Sequence, residues 1–184
     1  MIERSLKVLF FSDVKGFSKL SDRECLAFCK AFHSGVQKEV LSRYDDKIIL
    51  KNTWGDALHV VMDDLVAAGR LALDLRDWMD RHDWLADGLS AAPKIRIGLH
   101  AGIVSKVPDP ILDNFNYIGR NTSKAARIEP ITFEGQVFVS RAYAALLALE
   151  SDSGLTCDYV GRRDLPKGSG TVHAYLLRRI GTHP

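Results

Sequence analysis

Cysteine is scarce in this chain: Cys25, Cys29 and Cys157 are the only three in 184 residues. An odd count, with two members four apart in a helical pattern, excludes a disulfide framework, so the thiols are expected to be reduced and mostly buried. Long apolar runs are missing as well. Nothing approaches the length of a bilayer span, and Met1-Ile2-Glu3-Arg4 lacks the apolar region of a signal peptide, so no membrane association and a cytoplasmic location are expected. Nor is there an excess of one charge. Lys and Arg number 25 against 23 Asp and Glu, a formal net charge of +2 with no dense basic run, which argues against nucleic acid as a partner. With 46% hydrophobic and 26% charged residues and no internal repeat or linker, residues 1–184 read as one globular domain with a sizeable core.

What is present alternates between strand and helix signals. Leu6 to Phe11 reads as a buried strand that ends near Asp13, and Gly16 and Phe17 follow, so Asp13 is expected where the strand opens to solvent. Ser21-Asp22-Arg23-Glu24 is a capping box for a helix running to about Leu41. Tyr44 to Asn52 and Ala57 to Met62 read as strands around a tight Trp54-Gly55-Asp56 turn. Asp63 and Asp64 open a helix to about His82, and Asp83 to Pro93 is a connection that suggests no chemistry.

Lys94 to Gly102 alternates cleanly, with Ile95, Ile97 and Leu99 toward the core and Arg96, Gly98 and His100 on a polar face. A loop rich in Pro, Asp and Asn leads to a short helix carrying Arg127 and Glu129, stopped by Pro130. Gly135 to Ser140 is a strand, Ala142 to Leu149 a helix, and Cys157 to Arg163 pairs with Thr171 to Leu177 as a closing hairpin. The expected fold is therefore α/β (α+β): a two-layer sandwich with a mixed or antiparallel sheet, whose first half has the ferredoxin-like βαββαβ order.

Two carboxylates at strand ends, Asp13 and Asp56, suit a two-metal site, with the backbone carbonyl of Val14 as a further ligand and Mg²⁺ borrowing phosphate oxygens. The competing reading has each acid capping its own turn. Arg127, Arg96 and Lys167 are candidates for a transferring phosphoryl group, each with a surface salt bridge as its alternative role. His100 reads first as a satisfied strand histidine.

Taken together and in order, these blocks resemble the catalytic domain of class III adenylyl and guanylyl cyclases. Phe11-Ser12-Asp13-Val14-Lys15-Gly16-Phe17-Ser18 looks like the first metal motif and Gly55-Asp56 like the second. Arg96-Ile97-Gly98-Leu99-His100-Ala101-Gly102 resembles the R-x-G-x-H-x-G strand, and Ala125-Ala126-Arg127-Ile128-Glu129 the segment with the transition-state arginine. The resemblance implies that the 3′-hydroxyl of a nucleoside triphosphate attacks its own α-phosphate. It implies two Mg²⁺ or Mn²⁺ ions on Asp13, Val14 and Asp56, Phe11 beside the substrate, and Arg127 steadying the phosphate. It also implies a head-to-tail homodimer with shared active sites.

Departures from the family pattern narrow the reading. Adenylyl cyclases carry a lysine and guanylyl cyclases a glutamate four residues before the second acid, where Asn52 stands here. The partner position, usually aspartate in adenylyl cyclases, is Asn116. An amide offers both a donor and an acceptor, which suits uracil, or cytosine after a flip. Ser123 replaces a family asparagine, and Ser169 a phosphate-binding lysine, with Lys167 nearby and its reach into that place left open. Small cyclases with altered base-reading residues resemble the pyrimidine cyclases of bacterial Pycsar anti-phage systems. The expectation is cyclic UMP, with cyclic CMP open, read by a separate effector. The alternatives are a purine cyclase with an unusual pocket and an inactive nucleotide-binding regulator.

Overall fold

Glu3–Lys15 forms a long strand with an antiparallel partner on each side, Ala57–Met62 and Lys94–Asp109. A computed structural model of the chain describes residues 3–111 and 113–181. In chain order it contains β1 (Glu3–Lys15), α1 (Asp22–Gly35), β2 (Ile48–Trp54), β3 (Ala57–Met62), α2 (Leu65–Arg81), β4 (Lys94–Asp109) and β5 (Asn114–Ile118). Next come α3 (Arg120–Ile128), β6 (Val137–Ser140), α4 (Arg141–Leu147), β7 (Leu155–Asp164) and β8 (Thr171–Arg179). The sheet runs β2-β3-β1-β4-β6-β8-β7, with β5 paired to the far end of β4. Its β2-β3-β1-β4 half is antiparallel and has the expected ferredoxin-like order, while β4 and β6 pair in parallel, so the sheet is mixed.

Helices α1, α2 and α4 cover one face, where Phe28, Phe32, Leu71, Leu75 and Tyr143 meet Val8, Phe10, Val60, Ile97 and Leu99. Each large apolar side chain fully buried there contributes roughly 2 kcal/mol. The other face carries α3. Ala125 packs with Leu9, Val61 and Val104, and Ile128 packs with Phe138. Strand β4 is therefore buried on both sides: the side expected to be polar lies beneath α3, and His100 is only 2% exposed.

Local chemistry explains most boundaries. Ser21 and Glu24 form the reciprocal capping box of α1, and Asp64 caps α2 by accepting from the Ala67 N–H at 2.8 Å. Strand β2 begins at Ile48 rather than Tyr44, because Leu41–Tyr44 forms a 3₁₀ turn. Tyr44 is tied down by donating to Asp74 Oδ2 at 2.7 Å. The segment read as the Pro-rich loop is the hairpin of β4 and β5. Pro108 is tolerated because the pairing of β4 with β1 has ended at Lys106. The 83–93 connection is anchored by Trp84, buried and donating to the Met79 carbonyl at 2.9 Å. All three cysteines are free and partly buried, and burial pushes the Cys157 thiol up to about 12. No helix among the described residues is long and apolar enough to cross a membrane.

Candidate active site

Asp13 lies within β1, opposite Arg96 of β4, three residues before the left-handed turn at Gly16. Asp56 follows Gly55, whose φ of 63° makes the two-residue turn joining β2 to β3. His33 of α1 secures that turn, its Nε2 standing 2.8 Å from the Gly55 carbonyl oxygen. The two carboxylates converge on one backbone donor. The Val14 N–H donates to Asp13 Oδ1 at 2.9 Å and to Asp56 Oδ2 at 3.3 Å. Burial, reinforced by hydrogen bonding with Asp13 and by its charge, pushes Asp56 up to about 6.

Arg96 is committed beneath this pair. Its Nη2 donates to Asp13 Oδ2 at 2.9 Å, and its Nε stands 2.8 Å from Glu129 Oε1 without the alignment of a hydrogen bond. Arg96, a candidate phosphate ligand from the sequence, here has its charge shared by two acids. Burial pushes Glu129 up to about 7; Arg96 opposes that shift, and the charges of Asp13 and Asp56 add to it. Glu129 reaches Arg96 because Gly98 lets the end of α3 settle on β4. A Cβ on Gly98 would lie 2.6 Å from the Glu129 nitrogen.

His100 is the satisfied strand histidine that the sequence suggested. Asn121 donates through Nδ2 to the Ile103 carbonyl at 2.8 Å, so its Oδ1 faces His100 Nε2 at 3.0 Å and accepts from it. His100 Nδ1 then accepts from the Ser140 hydroxyl at 2.7 Å. One neutral imidazole thus ties β4 to α3 and to the cap of α4. Gly102 provides the clearance, since a Cβ there would lie 2.4 Å from Asn121 Cγ.

Arg127 and Ser123 line a different groove, of about 460 Å³, together with Arg120, Lys124, Leu165, Ser169 and Thr171. Neither Asp13 nor Asp56 borders it. Arg120, Lys124 and Arg127 share one face of α3, and none of them has an ion-pair partner among the described residues. Arg120 and Lys124 escaped the sequence reading because cations on a short helix look like a solvated surface. Lys167 sits in the turn after β7 at φ 59°, and Ser169 rather than Lys167 borders the groove.

The amide positions lie on two hairpins. Asn52 is exposed on β2 opposite His59, which is in turn opposite Phe11, so the three side chains share one sheet face. Phe11 stacks on His59 at 4.0 Å between ring centroids. Asn116 is half-buried on β5, where its Nδ2 donates to Asp109 Oδ2 at 3.3 Å.

The donor set fits hard divalent cations. Two carboxylates held against each other, one with its proton affinity raised by the other, lose that repulsion on binding a cation. No group of three or more His, Cys, Asp or Glu is placed to hold a metal among the described residues, so substrate oxygens and water would complete each shell.

Comparison with known proteins places these features in context. The family model for the adenylate and guanylate cyclase catalytic domain matches residues 4–179. The receptor-type adenylate cyclase ESAG 4 of Trypanosoma brucei brucei is 22% identical over 193 residues, covering 86% of this chain and 15% of that protein. A putative serine/threonine-protein kinase/receptor of Acanthamoeba polyphaga mimivirus is 29% identical over 114 residues, covering 62% of this chain and 6% of the relative. The chain therefore spans a minor part of these curated relatives. Among solved structures, the adenylyl cyclase CyaB from P. aeruginosa superposes with a TM-score of 0.82 at 22% identity, covering 97% of this chain and 96% of that one. The guanylate cyclase domain of RhGC from Catenaria anguillulae, solved with GTP, gives a TM-score of 0.78 at 20% identity, covering 96% and 98%.

Proposed function

The chain belongs to the adenylate and guanylate cyclase catalytic domain family, and from that premise we propose that it cyclises a pyrimidine nucleoside triphosphate, UTP ahead of CTP. The ribose 3′-oxygen forms a bond to the α-phosphorus, the bond from that phosphorus to the β-phosphate oxygen breaks, and pyrophosphate leaves as the hydroxyl proton is released. The carrying observation is the pair of amides, Asn52 and Asn116, at the two positions that by resemblance match the family's purine-reading residues.

Asp13 and Asp56, with the Val14 carbonyl, are the proposed holders of Mg²⁺ or Mn²⁺. When bound, such ions lower the pKa of the attacking hydroxyl and offset charge on the leaving phosphates. Arg96 and Glu129 position the Asp13 carboxylate from below. Arg127 and the Ser123 hydroxyl take the charge that spreads over the equatorial oxygens, while Arg120 and Lys124 bind the remaining phosphates.

The separation of the acids from the arginine groove supports a homodimer in which each site draws on both subunits. Exposed apolar side chains at the tips of both hairpins support it further: Trp54 is 89% exposed, Ile111 94% and Phe115 48%. By resemblance to Pycsar cyclases, the product is proposed to be a second messenger in anti-phage defence, read by a separate effector. The solved adenylyl and guanylate cyclases that this chain resembles favour a second reading, a purine cyclase. Incubation with ATP, GTP, CTP and UTP plus Mn²⁺, with products identified by mass, separates the two. A cyclic pyrimidine nucleotide is expected; a cyclic purine nucleotide as main product overturns the proposal in favour of the second reading.

A further inference from the structure

The amide of Asn116 is held at both ends. The Tyr117 N–H donates to Asn116 Oδ1 at 2.8 Å, and Asn116 Nδ2 donates to Asp109 Oδ2 at 3.3 Å. Asp109 is itself oriented by the hairpin turn, because the Ile111 N–H donates to its Oδ1 at 3.1 Å. Asp109 pairs with Asn114 across the hairpin and Val107 with Asn116, so Asp109 and Asn116 are diagonal neighbours on one face. Rotating the amide by half a turn would set its oxygen against a carboxylate and its NH₂ against a backbone N–H. Both bonds would become repulsions. One N–H and one oxygen lone pair remain for a ligand, in a single fixed order.

That order has a chemical meaning. Uracil and guanine present a ring N–H beside a carbonyl oxygen, whereas cytosine and adenine present a bare ring nitrogen beside an amino group. A freely flipping amide reads both patterns; a locked one reads one of them. We infer that Asp109 is a positioning residue that locks the Asn116 amide and thereby makes the pocket choose between oxo and amino bases. The inference rests on the reading of Asn116 as a base contact. It assigns to Asp109 no contact with the substrate.

The test uses α,β-methylene analogues of the four triphosphates, which bind without releasing pyrophosphate, titrated calorimetrically into the full chain with Mg²⁺. The parent is expected to separate the UTP from the CTP analogue by about tenfold or more. Asp109→Asn keeps an oxygen to accept from Ile111, which turns its NH₂ toward Asn116; that favours the flipped Asn116 amide while the Tyr117 N–H still favours the parent one, so with the two holds opposed the ratio should collapse to within about twofold. Asp109→Glu restores an acceptor-only group and should retain the ratio. That variant also decides the matter if Asp109→Asn fails to fold. Retention of the parent ratio by a folded Asp109→Asn, loss of it in Asp109→Glu, or a parent without discrimination overturns the inference. A preference for purine analogues would defeat the pyrimidine reading alone, since the lock is then judged on the GTP to ATP ratio. Binding of no analogue would overturn both.

Discussion

The two charged regions of this molecule are built on opposite plans. Around Asp13 and Asp56 the acids outnumber their partner: Arg96 bridges Asp13 and Glu129, and Asp56 shares with Asp13 a single backbone N–H. Along α3, Arg120, Lys124 and Arg127 share a groove with hydroxyls and have no ion-pair partner among the described residues. On the proposed reading, one region takes cations and the other takes anions. Because neither acid borders the α3 groove, the proposed homodimer would set the acids of one copy against the α3 groove of another.

The strongest way to break that comparison is to damage one region in each subunit. Asp56→Ala and Arg127→Ala should each lower kcat by at least about a hundredfold. Mixed in equal amounts, they should recover up to about a quarter of parent activity, since half the dimers are then mixed and each of those has one complete site. The check is pyrophosphate release, measured for each variant alone and after mixing. If both regions served one site within a single chain, mixing would restore nothing.

A smaller effect sharpens the assignment of the groove. Lys124→Ala should raise KM about tenfold with little change in kcat, as expected for a charge that holds non-reacting phosphates. Lys167→Ala should change KM by no more than about twofold, because Lys167 does not border the groove. Initial-rate kinetics on both variants decide between them, and the reverse ranking would return the phosphate role to the turn after β7.

Legibility from sequence followed the range of the interaction. Ser21 with Glu24, and Asp64 with Ala67, are contacts within one helical turn, and both could be read from spacing. The order of β1, α1, β2, β3, α2 and β4 was equally legible, since each element carries its own period. Arg96 with Glu129 was not. They are far apart in sequence, and their contact depends on the clearance that Gly98 leaves for the end of α3. Strand β5 was hidden because Pro108, Asp109 and Asn114 signal a loop, whereas β4 needed a partner only on one side there. Asp13 and Asp56 could be paired in advance from their places at strand ends, but not the single Val14 N–H on which they converge.

That convergence yields the smallest effect and the most specific signature of the acid region. Asp56 binds its proton up to a pH of about 6 and Glu129 up to about 7 in the folded chain, above the ordinary carboxylate range near pH 4. A carboxylic acid whose folded pKa is raised favours folding below its unfolded pKa, and that contribution disappears as pH rises through the folded value. Without divalent ions, the melting temperature should therefore fall by a few degrees between about pH 4 and pH 7. Mn²⁺ binds the deprotonated pair, so its stabilisation should be smallest near pH 4 and largest above pH 7. Asp56→Asn should flatten the lower part of the metal-free profile and remove most of the Mn²⁺ increment, while Lys124→Ala should leave both intact. Melting curves across this range, with and without Mn²⁺, test the point. An increment that is independent of pH, or that survives Asp56→Asn, would place the cation away from these acids and dissolve the contrast between the two regions.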